Sequence, residues 1–166
     1  MTTTRTQGPK VSFRVDALVS MRLADLQNKL SLRARTATRV DAFRTAVLLG
    51  LAVVVARTAK PPWGELRRLS SENLGAGAKK VAFGLDAPAK RCIEAFRGRL
   101  STPRRRVGTS AALRTLVLVG LDCAERLPSS DLGRTACKTV ESAASTWTTN
   151  NHELADVLRG GEGDTR

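Results

Sequence analysis

Residues 10–17 read KVSFRVDA and residues 80–87 read KVAFGLDA. The match continues without a gap from 10–51 onto 80–121, an offset of 70 residues that yields fifteen identities in forty-two positions. AFRTAVLLGL at 42–51 lies over ALRTLVLVGL at 112–121, so Ala42, Arg44, Thr45, Val47, Leu48, Gly50 and Leu51 recur as Ala112, Arg114, Thr115, Val117, Leu118, Gly120 and Leu121. The matches fall on patterned apolar positions, which composition alone does not arrange. A chain with such a period must be read as one unit used twice before any single element is assigned.

Within each unit the hydrophobic period changes once. Val11, Phe13 and Val15 alternate with Lys10, Ser12 and Arg14, and Val81, Phe83 and Leu85 repeat that alternation, the signature of a strand with one buried face. After Asp16 and Asp86, both suited to N-capping, the apolar residues follow helical spacing as Val19, Leu23, Leu26 and Leu30, and as Ala89, Ile93, Phe96 and Leu100. This helix is expected to end near Leu32 in the first unit and at Ser101-Thr102-Pro103 in the second, where proline disfavours continuation. A basic turn follows, RARTATR at 33–39 and PRRRVGTS at 103–110. A second helix then starts near Thr38 and near Thr109 or Ser110, and passes through Val40, Phe43, Val47, Leu51 and Val54, or through Leu113, Val117, Leu121 and Ala124. Gly50 and Gly120 sit at the same place in it. They mark either a close helix crossing or the helix end.

A single strand leaves its edge unpaired, and a unit of this size hardly encloses a core. Two copies solve both problems if their strands pair antiparallel and the second helices cross beneath. The expected fold is therefore mainly α with a two-stranded antiparallel β-ribbon. The expected divisions are a flexible arm at 1–9, a first unit at 10–56, a linker at 57–79 with room for one short helix, a second unit at 80–126, and a polar, partly helical tail at 127–166.

The 166 residues carry 28 Lys and Arg against 15 Asp and Glu, a net charge of +13. Residues 1–126 hold +15 of it and residues 127–166 hold −2, so the doubled body seeks polyanions and the tail does not. Cys92, Cys123 and Cys137 form no CxxC pair and read as buried thiols in a reducing compartment. The opening MTTTRTQGPK lacks the apolar core of a signal peptide, and the apolar run 46–56 is shorter than the about 20 residues a bilayer span needs. A soluble cytoplasmic protein without membrane contact is expected. Catalysis is not: His152 stands alone in the tail, and no carboxylate pair, Cys/His spacing or phosphate-binding loop accompanies it. Trp63 and Trp147 read as packing residues.

The order of strand, amphipathic helix, basic turn and apolar helix, carried by KVSFRVDA with TRVDAFRTAVLLGL and by KVAFGLDA with GTSAALRTLVLVGL, resembles the ribbon-helix-helix DNA-binding superfamily. That resemblance implies a tandem ribbon-helix-helix pseudo-dimer in one chain, without a cofactor. In its tandem layout the chain is similar to the TraY proteins of conjugative relaxosomes and to the accessory protein that binds the overdrive element in T-DNA transfer. The resemblance implies that the ribbon enters the major groove of double-stranded DNA, with Lys10, Ser12, Arg14, Lys80, Ala82 and Gly84 turned to the bases. Arg14 is the residue able to hold guanine through two hydrogen bonds. Copy two keeps only Lys80 as a long polar group, so an asymmetric element read mainly through the first copy is expected. Phosphates would be held at the starts of the second helices by Thr38 and Arg39 and by Gly108, Thr109 and Ser110, with Arg33, Arg35, Arg104, Arg105 and Arg106 just upstream. A relaxase or other transfer protein is the expected partner of the tail, and copies are expected to associate side by side on DNA. The alternatives are a transcriptional repressor or partition regulator of a plasmid or mobile element, and a protein-interaction module that has lost DNA reading, for which Ala82 and Gly84 argue.

Overall fold

In the computed structural model, the described residues are 10–31, 36–56, 62–75, 77–85 and 87–127. They form β1 (Lys10–Val15), α1 (Ala17–Ser31), α2 (Arg39–Ala56), α3 (Trp63–Ser71), β2 (Lys79–Gly84), α4 (Ala87–Leu100) and α5 (Thr109–Arg126). The described residues are mostly helical with one two-stranded antiparallel sheet. The arm at 1–9, Asp86, Cys137, Trp147, His152 and the tail from 128 onward lie outside the described residues.

β1 and β2 pair with Val11 opposite Phe83, Ser12 opposite Ala82 and Phe13 opposite Val81. Ser12 and Ala82 occupy the same place in the two repeats, so the ribbon is centred on a residue and its own counterpart. Val11, Phe13, Val15, Phe83 and Leu85 are buried on the inner face, while Val81 is only partly buried. Beneath the ribbon the rings of Phe13, Phe43 and Phe83 form a triangle, edge-on between Phe13 and Phe43 at 5.5 Å and stacked between Phe43 and Phe83 at 5.4 Å. Aromatic pairs at these separations add to the effect of simple burial.

α1 starts at Asp16 as expected. Its Oδ1 accepts the Val19 N–H at 2.9 Å and its carbonyl accepts the Ser20 N–H. The ends of α1 and α4 are tied by the same device, built on the repeated serine. Ser31 Oγ donates to the Gln27 carbonyl and accepts the Ala37 N–H; Ser101 Oγ donates to the Arg97 carbonyl and accepts the Val107 N–H. Gln27 and Arg97 then close the two turns onto the carbonyls of Ala37 and Val107.

α2 and α5 cross at the two glycines. Neither helix ends there, since α2 runs on to Ala56 and α5 to Arg126. A Cβ on Gly50 would collide with the Leu116 carbonyl, and one on Gly120 with the Ala46 carbonyl. Leu116 and Ala46 are themselves repeat counterparts, so the contact is reciprocal. Val40, expected on the buried stripe of α2, instead lies in its first turn with 36% of its surface exposed. That turn projects past the core to the end of the ribbon, where Val40 shares a recess with Lys10 and Gly84.

The linker contributes α3, which buries Leu66 and Ser70 and sets Trp63 against Phe96 with ring centroids 6.0 Å apart. Arg22 of α1 reaches α5, where it pairs with both Asp122 and Glu125. The hydrogen bond from Arg22 holds the Glu125 carboxyl below its ordinary range. Burial pushes the Cys123 thiol up, against the opposing charge of Arg126. No helix among the described residues is long and apolar enough to cross a membrane.

Candidate nucleic-acid interface

Period-two alternation that buries Val11, Phe13 and Phe83 must turn the intervening residues outward. The register arranges them as three rungs: Lys10 opposite Gly84, Ser12 opposite Ala82, and Arg14 opposite Lys80. Lys10, Arg14, Lys80 and Ala82 are exposed; Ser12 and Gly84 are half-buried. All six residues expected on the reading face therefore lie on one surface, bordered by Lys79, which is also exposed. Arg14 and Lys80 are like charges placed directly across the ladder, an arrangement that destabilises an isolated ribbon and that a bound anion relieves.

The second helices bring their first turns to opposite ends of the ribbon. At one end Ser110 Oγ accepts the Arg14 N–H at 3.3 Å, which seats the start of α5 beside the Arg14–Lys80 rung. At the other, Lys10, Val40, Arg44, Phe83 and Gly84 line a recess at the start of α2. Arg44 Nε donates to the Gly84 carbonyl at 2.9 Å. The repeated Arg114 donates to the Glu72 carbonyl at 2.7 Å and lies 3.7 Å from Asp16 Oδ2. Arg44 and Arg114 carry no expected role from the sequence, although their identity within AFRTAVLLGL and ALRTLVLVGL is a usable signal. Each fastens a second helix to the chain around the ribbon.

The two helix starts differ electrostatically. At α2, Asp41 accepts the Thr38 N–H and hydroxyl at 2.8 Å each, and the Asp41 N–H returns to Thr38 Oγ1 at 3.2 Å. This reciprocal cap satisfies the N–H groups of Thr38 and Asp41 and sets a carboxylate at the helix start. Arg39, although exposed, is partly engaged within the fold: its guanidinium donates to the hydroxyl and carbonyl of Ser20 and lies 5.9 Å from the Phe43 ring centre. At α5 the cap residue is Gly108, with φ −76° and ψ 159°, no side-chain cap bond and no acidic residue in the first turn. Thr109 Oγ1 donates to Glu94 at 3.3 Å. Just upstream, Thr102 and Arg105 exchange two backbone hydrogen bonds, closing a tight turn that leaves Arg104, Arg105 and Arg106 exposed. In the first unit Arg33 and Arg35 fall outside the described residues.

Among the described residues no group of three or more His, Cys, Asp or Glu is placed to hold a metal ion. Comparison with family models, with curated proteins and with solved structures returned no match.

Proposed function

We propose that this chain is a double-stranded DNA-binding protein of ribbon-helix-helix type, in which the two repeats form a pseudo-dimer within one chain. The observation that carries this reading is the register. Pairing centred on Ser12 and Ala82 gathers Lys10, Arg14 and Lys80 on one outward face, while the reciprocal glycine contacts cross the two apolar helices behind it. A two-stranded ribbon fits the major groove, and a guanidinium on it can hold the O6 and N7 of guanine together. The uncapped start of α5 and the exposed arginines at 104–106 suit the flanking phosphates, where a helix N-terminus favours an anion. Arg39 and Thr38, whose donors serve the fold, contribute less to phosphate binding than their counterparts in the second unit.

Fluorescence anisotropy of the full chain on mixed-sequence duplex at low and moderate salt tests the reading. Binding should weaken steeply as salt rises, because each neutralised phosphate releases counterions. No association at low salt overturns it and leaves the protein-interaction module as the alternative.

We further propose that the chain serves as an accessory factor in the transfer of a conjugative or mobile element, with the tail engaging a relaxase. The resemblance in tandem layout supports this role. Selection of bound fragments from the source genome separates it from the alternatives: fragments at an origin of transfer support it, and promoter fragments support a repressor or partition regulator.

A further inference from the structure

We infer that the ribbon reads a non-palindromic element in one fixed orientation, with guanine required under the Arg14–Lys80 rung and not under the Lys10–Gly84 rung. The inference rests on the DNA-binding reading and adds the composition of the two half-sites.

It follows from the register. In a pair of identical chains each ribbon end would carry the same residues. Here antiparallel pairing sets Arg14 of the first strand against Lys80 of the second, which places two cations on one end rung. The opposite end rung has Lys10 facing Gly84, which has no side chain. Arg14 is the only arginine in either strand, so only one end rung carries a guanidinium that can offer two parallel N–H donors to a guanine edge. Lys79, exposed and next to Lys80, raises the positive charge of that same end.

The Gly84 end has a different chemistry. A recess at this end is lined by Lys10, Val40, Arg44, Phe83 and Gly84. Arg44 is tied through Nε to the Gly84 carbonyl, which keeps its guanidinium beside the recess.

The polarity therefore does not divide along the repeats. From the sequence, recognition is expected mainly through the first copy. The guanine-reading end combines Arg14 of that copy with Lys80 and Ser110 of the second.

Selection from random duplexes, followed by affinity measurements on the selected element, tests this. The wild-type protein should select an asymmetric element. Replacing the guanine in one half should cost about tenfold, and the mirror replacement under threefold, in keeping with one bidentate contact. Gly84→Arg should shift selection to an element with guanine in both halves. Lys80→Ala should lose affinity in a manner coupled to Arg14→Ala and independent of Lys10→Ala, a readout that survives if Gly84→Arg does not fold. A palindromic wild-type element, or equal losses from both halves, overturns the polarity while leaving DNA binding intact. Failure of the wild-type protein to retain any duplex at low salt overturns the DNA-binding reading itself, and the polarity with it.

Discussion

Gly120 rests directly against the backbone carbonyl of Ala46, close enough that no side chain fits between the two helices. Replacing a helical glycine by alanine ordinarily stabilises by about 1 kcal/mol. At Gly120 and Gly50 the sign should reverse, because the new methyl meets backbone rather than a flexible side chain. Gly120→Ala and Gly50→Ala should each lower stability by roughly 1 to 3 kcal/mol in urea titrations, the usual range for overpacking. A neutral or stabilising effect would show that the helices separate at little cost.

Asp16 caps α1 through Val19 and faces Arg114 across the unit. Asp16→Ala should cost about 1 kcal/mol, with Asp16→Asn retaining most of the cap. Equal losses in the two variants would show that the charge facing Arg114, rather than the cap, carries the effect.

The contact between Arg22 and Glu125 gives a pH dependence with a defined sign. The folded protein holds the Glu125 carboxyl below its ordinary range through the hydrogen bond from Arg22, so it binds that proton less tightly than the unfolded chain does. The contact therefore stabilises fully above the ordinary carboxylate range, and its contribution is lost as pH falls through the depressed folded value. Thermal melts should show Tm falling below about pH 4 less steeply for Glu125→Gln than for the wild type, relative to their values at neutral pH. Identical acid limbs would contradict the assignment.

Arg14→Ala should weaken binding to a selected element far more than binding to random duplex. Competition anisotropy with both duplexes measures the ratio. Equal losses on both would mean that Arg14 meets only phosphate.

The ribbon was legible because strand alternation and the repeat point the same way: Phe13 and Phe83 recur at one register position, and both are buried. The crossing was half legible. The shared position of Gly50 and Gly120 signalled a close approach or a helix end, and the opposing carbonyls of Leu116 and Ala46 identify the former. α3 was harder to read, since WGELRRLSS is polar and short, and its helix is held by docking Trp63 and Leu66 on the second unit rather than by its own propensity. The hydrogen bonds of Arg39 to Ser20 were not legible. A basic residue at a helix start looks free to meet phosphate in one dimension, but here Ser20 and Phe43 lie within reach of its side chain. The cap formed by Thr38 and Asp41 was present in the sequence as Thr-x-x-Asp, a signal that could have separated the two helix starts in advance.

Methylation interference at guanine N7 probes the major groove at the atom that Arg14 would grasp. On a duplex selected by the full chain, N7 methylation of the guanine in one half-site should block binding of the wild-type protein and leave the residual binding of Arg14→Ala unchanged. Binding that ignores N7 methylation, or interference that persists undiminished in Arg14→Ala, would contradict a ribbon seated in the major groove with Arg14 reading the base.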